Sequence, residues 1–258
     1  MNSLQPERLS TLILYSSALV IVVSCYRFGW GNLKKTAAYS LKFMTAVSRV
    51  VKPVSQLQLA PGSAVTIPNV NWAEFESILE DMGENRSARV AYSNGTLEIM
   101  VPLPEHEKPK DLISDIVKIL LKKTGRRYEP FGSTTFKRGN TAGVEPDACF
   151  YIQNYQRMIG RRRLEPDDPP PDLAIETDVT SKTTLDAYLA IAVPEIWIYD
   201  SGKLTIYLLR DRQYIKSDNS PTFPNVTLTQ MIPITVERAW LVGSVQALEE
   251  FELAIALK

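Results

Sequence analysis

Chemistry in this chain is most legible in the acidic residues between Val144 and Asp200. Asp147 follows Pro146 inside the apolar run VEPDACFYI, and Glu176 and Asp178 close the run PPPDLAIETD. Both runs read as buried strands, where a carboxylate is costly unless it is paired or holds a metal. Residues two apart on a strand share a face, so Glu176 and Asp178 are expected to project together while Thr177 points away. Asp147 and Glu176 would converge if their strands are neighbours in one sheet. Mg²⁺ is bound through one or two carboxylates while keeping several waters, and such an ion activates water and stabilises a phosphoryl transition state. A lysine nearby would orient the water or neutralise the phosphate, and Lys182 in TSKT is the nearest one.

Each of these residues has an ordinary structural alternative. Asp147 could accept a neighbouring backbone amide, and Glu176 could pair with an arginine such as Arg163. Asp178 could cap a turn, and Lys182 could be a solvated loop residue. His106 could bond locally at a helix start, and the Arg161–Arg163 run could be a solvated loop. If that run faced the site it could hold DNA phosphates, and binding would then depend on salt. Trp197, Ile198 and Tyr199 read as core.

Composition narrows the chemistry. The 258 residues fit one domain with additions, or two small ones. Lys plus Arg (29) equals Asp plus Glu (29), so no strong global field favours nucleic acid. Cys25 and Cys149 are far apart and indicate no disulfide framework. Cys149 lies in an apolar run and reads as a small buried hydrophobe. A single histidine, His106, excludes HExxH sites, Cys₂His₂ fingers and nuclease motifs built on several histidines. A Ser-His-Asp triad would have to use it without a GxSxG elbow. Carboxylates and lysines are left to carry any reaction.

The elements that would position them follow in order. Residues 9–25 are almost free of charge and about long enough to span a bilayer as a hydrophobic helix. Arg8 precedes them and Arg27, Lys34, Lys35, Lys42 and Arg49 follow, which would leave the remainder of the chain in the cytoplasm. A cleaved signal peptide fits less well, because the charge lies on the wrong side. Met44 opens a normal-looking N-terminus, so residues 1–43 are either a single-pass membrane anchor or an over-extended start. Residues 44–69 read as a lead-in arm, 70–240 as the domain, and 241–258 as a C-terminal helix.

Within the domain, 71–82 has helical spacing with Asn71 as N-cap. Two alternating runs around Ser93-Asn94-Gly95 make a hairpin. Glu105-His106-Glu107 precedes a helix with Leu112, Ile113, Ile116, Ile119 and Leu120 on one face, and Gly125 sits at its C-cap. STTFKRGN reads as a strand. In TLDAYLAIAVPE, Thr183 and Asp186 resemble a capping box. EIWIYD, KLTIYLLR and RQYIKS read as three antiparallel strands. The run 234–257 reads as a helix broken near Gly243.

The segments VEPDACF, PPPDLAIETDVTSKT and AYLAIAVPEIWIYD, in that order, resemble the Uma family of bacterial restriction-endonuclease-like proteins, long catalogued as a domain of unknown function. The resemblance runs from near Trp72 to about Ala239 and includes the hairpin and PEHEK. It implies an α/β restriction-endonuclease-like fold, a central mixed β-sheet flanked by α-helices, with the N-terminal hydrophobic helix outside the domain. It also implies a PD-(D/E)xK site that binds Mg²⁺ or Mn²⁺ and hydrolyses DNA phosphodiester bonds. Asp147 matches the metal-binding Asp and Glu176 the acidic (D/E). Asp178 stands where the lysine is expected, which makes it a candidate third ligand and Lys182 the candidate migrated lysine. Glu105, His106 and Glu107 match an accessory position at the start of the first core helix. DNA is the implied substrate, and nucleases of this fold often cut as homodimers. The departure at Asp178 keeps a second reading open: a catalytically degenerate member acting as a nucleic-acid-binding or protein-interaction module.

Overall fold

The structure, a computed structural model, describes residues 53–258 apart from 85, 133, 178–180 and 257–258 and the side chain of Pro104, together with the backbone of three strands nearer the N-terminus. The chain divides into two units, Met1–Lys52 and Pro53–Lys258. In the first, β1 (Glu7–Ser16), β2 (Leu19–Arg27) and β3 (Ala38–Met44) pair antiparallel in that order. The hydrophobic helix expected within residues 1–43 falls in this unit, whose side chains and connections lie outside the described residues. Among the described residues no helix is long and apolar enough to cross a membrane.

In the second unit a 3₁₀ turn at Val54–Gln56 precedes β4 (Ala64–Pro68), so the expected lead-in arm contains an edge strand, none of whose residues is buried. Helix α1 (Trp72–Met82) starts where Asn71 accepts the Glu74 amide at 3.0 Å and Glu74 accepts the Asn71 amide at 2.8 Å. This reciprocal capping satisfies two N–H groups that the first turn cannot pair internally. The hairpin β5 (Arg89–Ser93) and β6 (Thr96–Met100) turns at Asn94 and Gly95, both at positive φ (50° and 76°), as the Asn-Gly pair anticipates. Helix α2 (Pro104–Lys123) begins earlier than its apolar face suggests, because a proline in the first turn has no N–H to leave unpaired. Glu105, His106 and Glu107 therefore lie inside its first turn rather than before it. Thr124 is the C-cap of α2, and Gly125, expected at that position, lies one residue beyond it at φ 68°.

The chain next forms β7 (Glu129–Phe131), β8 (Phe136–Arg138), β9 (Ala142–Val144), β10 (Ala148–Tyr151), the short α3 (Tyr155–Met158) and β11 (Leu173–Glu176). It continues through α4 (Lys182–Ile191), β12 (Glu195–Asp200), β13 (Lys203–Arg210) and β14 (Gln213–Ser217) to α5 (Leu228–Val242) and α6 (Ser244–Ala256), with the expected break at Gly243. Helix α4 is capped by Ser181, whose side chain accepts the Thr184 amide at 3.1 Å, and not by the expected Thr183–Asp186 box. The cap falls there because Ser181 is the last residue with extended backbone.

Where one central sheet was expected, the described residues of this unit form two. A six-stranded mixed sheet runs β14-β13-β12-β11-β10-β7, and a five-stranded one runs β4-β6-β5-β9-β8. Only β11 and β12 are parallel, joined through α4; all other pairs are antiparallel. The chain changes sheets between Val144 and Ala148, across Glu145-Pro146-Asp147. Pro146 has no N–H to offer a ladder, which suits it to the crossing.

One face of the six-stranded sheet carries Phe150, Leu173, Ile175 and Trp197 against α2, α5 and α6. The other carries Cys149, Tyr151, Ala174 and Ile198 against Ala187, Tyr188 and Ile191 of α4 and Val144 of the second sheet. A third cluster joins α1 to the outer face of the five-stranded sheet, where Phe75 stacks on Tyr92 with centroids 4.5 Å apart.

Candidate active site

The antiparallel register of β10 and β11 pairs Ala148 with Ile175 and Cys149 with Ala174. One step further along, that register sets Asp147 opposite Glu176. Alternation places both on the face shared by Cys149 and Ala174, toward α4. Each residue is 8% exposed. The two acids singled out by sequence thus meet at one end of the sheet, on one face.

Asp147 is held on one side only. Its Oδ2 accepts the Thr177 amide at 2.8 Å and the Thr177 hydroxyl at 2.8 Å. The backbone-amide alternative is therefore realised by one oxygen, while Oδ1 accepts no hydrogen bond among the described residues. Oδ1 faces Nε of Arg89 at 3.7 Å, an ion-pair separation too long for a hydrogen bond. Thr177 does not point away as expected, because β11 ends at Glu176 and the strict alternation ends with it.

Glu176 takes a different partner from the one suggested. Arg163 is exposed and lies 3.9 Å from Glu84. The Tyr188 hydroxyl on α4 instead donates to Glu176 Oε1. Burial raises the Glu176 carboxyl well above its ordinary range, and the neighbouring Asp147 raises it further. The Tyr188 hydroxyl, the Asp147 backbone amide and Arg89 oppose that rise without cancelling it. Burial and the Glu176 charge likewise push the Tyr188 hydroxyl well up, and burial pushes up the Cys149 thiol beside them. Desolvation and like charge both push Glu176 toward its protonated form, and a bound cation would offset the like charge.

The flank of the site is built from the crossing tripeptide and the segment before β5. Glu145 bonds Arg86 and the Thr135 hydroxyl, and its Oε2 accepts the Val90 amide at 3.2 Å. At the other end of the strands Asp172 and Glu195 are also tied to backbone and side-chain donors. Asp172 accepts the amides of Ile152 (2.6 Å) and Gln153 (2.9 Å). Glu195 accepts Trp197 Nε1 and the Thr222 hydroxyl, each at 2.6 Å.

The remaining candidates are less central. Asp178 lies outside the described residues. Lys182 is the exposed first residue of α4 and makes no hydrogen bond or ion pair with Asp147 or Glu176. Glu105 lies 3.8 Å from His106, and Glu107 pairs with Lys110. They begin a helix that covers the opposite face of the sheet from the two acids. Among the described residues no group of three or more metal-ligating side chains is assembled. Arg161 pairs with Asp168 at 3.0 Å within its own loop, while Arg162 and Arg163 are exposed. Sequence reasoning missed Thr177, Tyr188 and Arg89. Tyr188 carried a signal, since a tyrosine on the apolar face of a buried helix needs a partner for its hydroxyl. Arg89 carried none, because its proximity depends on how two sheets meet.

Residues 72–241 match the model of the family Uma2, described as "Putative restriction endonuclease". No curated protein matches the chain. Among solved structures, the chain is similar to a protein from Anabaena variabilis ATCC 29413 described as "a putative nuclease belonging to DUF820". The two share 17% identity with a TM-score of 0.44, over 65% of this chain and 98% of the other.

Proposed function

This chain belongs to the Uma2 family, and from that premise we propose that it is a metal-dependent endonuclease of restriction-endonuclease-like fold that hydrolyses DNA phosphodiester bonds. The observation that carries this reading is the buried pair Asp147 and Glu176, adjacent on one sheet face, with Glu176 held toward its protonated form. Two buried carboxylates side by side repel each other, and exchanging a proton for Mg²⁺ or Mn²⁺ would relieve both. The donor set fits such an ion: hard oxygens, one of them the unbonded Oδ1 of Asp147, with water completing the shell. When bound, the ion supplies Lewis-acid activation of water and of the phosphoryl oxygens.

The protein's own groups do the positioning. Thr177 fixes the Asp147 carboxylate through two hydrogen bonds to Oδ2, which leaves Oδ1 facing Arg89. Tyr188 fixes the orientation of Glu176. Asp178 is a candidate third acid, two residues beyond Glu176. Lys182 is given no part, since it reaches neither carboxylate.

The test incubates the full-length protein with supercoiled and linear DNA in Mg²⁺, Mn²⁺ or EDTA, beside Asp147→Asn. Metal-dependent cleavage by the wild type and its loss in Asp147→Asn are expected; equal cleavage in both would sink the reading.

A second reading is favoured by Arg89. A resident cation beside Asp147, together with the missing lysine, suits a catalytically degenerate member that binds nucleic acid without cutting it. Titration calorimetry separates the two: no heat of Mn²⁺ binding that depends on Asp147 favours the degenerate form.

A further inference from the structure

Arg89 starts β5, on the five-stranded sheet, and its side chain is 17% exposed. Its Nε is fully buried and has no hydrogen-bond partner. Among the described residues its five N–H donors make no hydrogen bond, and its ion pair is with Asp147 Oδ1 at 3.7 Å. Unmade hydrogen bonds on a buried charged group are expensive. Nearby Arg86 differs, because it bonds the Gly83 carbonyl, Thr135 and Glu145 and serves the fold. Arg89 is a half-buried cation with donors to spare, facing Asp147 Oδ1, which also accepts no hydrogen bond among the described residues.

A phosphate oxygen suits that gap. Guanidinium stays charged at all relevant pH and presents a planar fork that matches phosphate. Two carboxylates alone would repel a polyanionic strand, so a site of this kind needs a fixed positive group. The segment after Glu176 supplies no lysine in contact with the pair.

We propose that Arg89 is the phosphate-binding residue of the site, its guanidinium receiving a non-bridging oxygen of the phosphodiester beside Asp147. The assignment deepens the endonuclease reading and rests on it for the identity of the phosphodiester. Arg89 reaches the site from a different sheet from the two acids, so it binds the anion while Asp147 and Glu176 serve the cation.

Binding of a fluorescein-labelled DNA duplex in EDTA tests this without any cleavage. Fluorescence anisotropy over a salt series would compare the full-length wild type, Arg89→Gln, Arg89→Lys and Asp147→Asn. Arg89→Gln is expected to weaken binding about tenfold and to lower the salt slope by about one. Arg89→Lys should recover most of the affinity, and Asp147→Asn should bind more tightly than the wild type because a nearby repelling charge is gone. Wild-type affinity in a folded Arg89→Gln overturns the proposal. So does an Arg89→Lys as weak as Arg89→Gln, or a wild type that does not bind the duplex. Should Arg89→Gln fail to fold, Arg89→Met keeps the aliphatic stem; loss of the fold in both would make Arg89 structural and also overturn the assignment. Absence of plasmid cleavage would end the endonuclease reading while leaving this comparison intact.

Discussion

The hydroxyl of Tyr188 on α4 donates to Oε1 of Glu176 at the end of β11, and both side chains are buried. The bond ties the crossover helix to the strand it follows, at the acid whose carboxyl burial pushes upward. Tyr188→Phe removes only this hydroxyl. Leaving a buried acceptor unsatisfied costs about 1–3 kcal/mol, which urea unfolding would show. Tyr188 also favours the charged form of Glu176, so the pH at which divalent metal binds should move upward in the variant. A variant with wild-type stability and an unmoved pH profile would contradict this role.

Stability should fall as pH rises above the ordinary carboxylate range. Glu176 is raised in the folded state from 4.5, so between its unfolded and folded values the native protein holds the extra proton. Stability therefore declines with pH through that window. Glu176→Gln cannot ionise, and its unfolding free energy should be flatter over the same window and higher than wild type at its upper end. Urea titrations at a series of pH values would show whether the two curves diverge in that direction.

Binding of Mn²⁺ should release protons. If the ion replaces the Glu176 proton, the calorimetric heat will vary with the ionisation enthalpy of the buffer. The melting temperature should rise with Mn²⁺ more at neutral than at acid pH. Asp147→Asn should abolish both effects; a buffer-independent heat would show that Glu176 is not the group displaced.

The five-stranded sheet contains a tight contact of its own. A Cβ added at Gly143 on β9 would lie 2.7 Å from Cζ of Phe75. Phe75 is fully buried and stacked on Tyr92, so it has little room to yield. Gly143→Ala should cost about 1–3 kcal/mol, as overpacking does. Differential scanning calorimetry would read the loss as a lower melting temperature, and an unchanged one would refute it.

What the sequence disclosed was local. Asn71 announces α1 because an N-cap and helical spacing are legible within a dozen residues, and Asn94-Gly95 announces its turn for the same reason. Asp147 and Glu176 stood out because charge inside an apolar run is conspicuous wherever the run folds. Their meeting on one face followed from strand alternation once β10 and β11 were neighbours. What stayed hidden depended on distant geometry. The division into two sheets depends on how β7, β8, β9 and β10 distribute themselves, and β4 is an edge strand with no buried residue to mark it. Thr177 was misplaced because alternation was carried one residue past the strand's end. Arg89 and Tyr188 reach the acids from elements that composition and spacing do not bring together.

The crossing tripeptide Glu145-Pro146-Asp147 also has a bearing on cooperativity. Glu145 holds the Val90 amide in the five-stranded sheet, while Asp147 holds the Thr177 amide beyond β11. Both bonds stay within their own sheet, since Val144 pairs with Ala91 and Ala148 with Ile175, so of these contacts only the Arg89–Asp147 ion pair ties one sheet to the other. The amides of Val90 and Thr177 should therefore exchange with solvent deuterium at separate rates, each set by the opening of its own sheet. The two halves of the site would then loosen independently, with the carboxylate pair following the six-stranded sheet and Arg89 the five-stranded one.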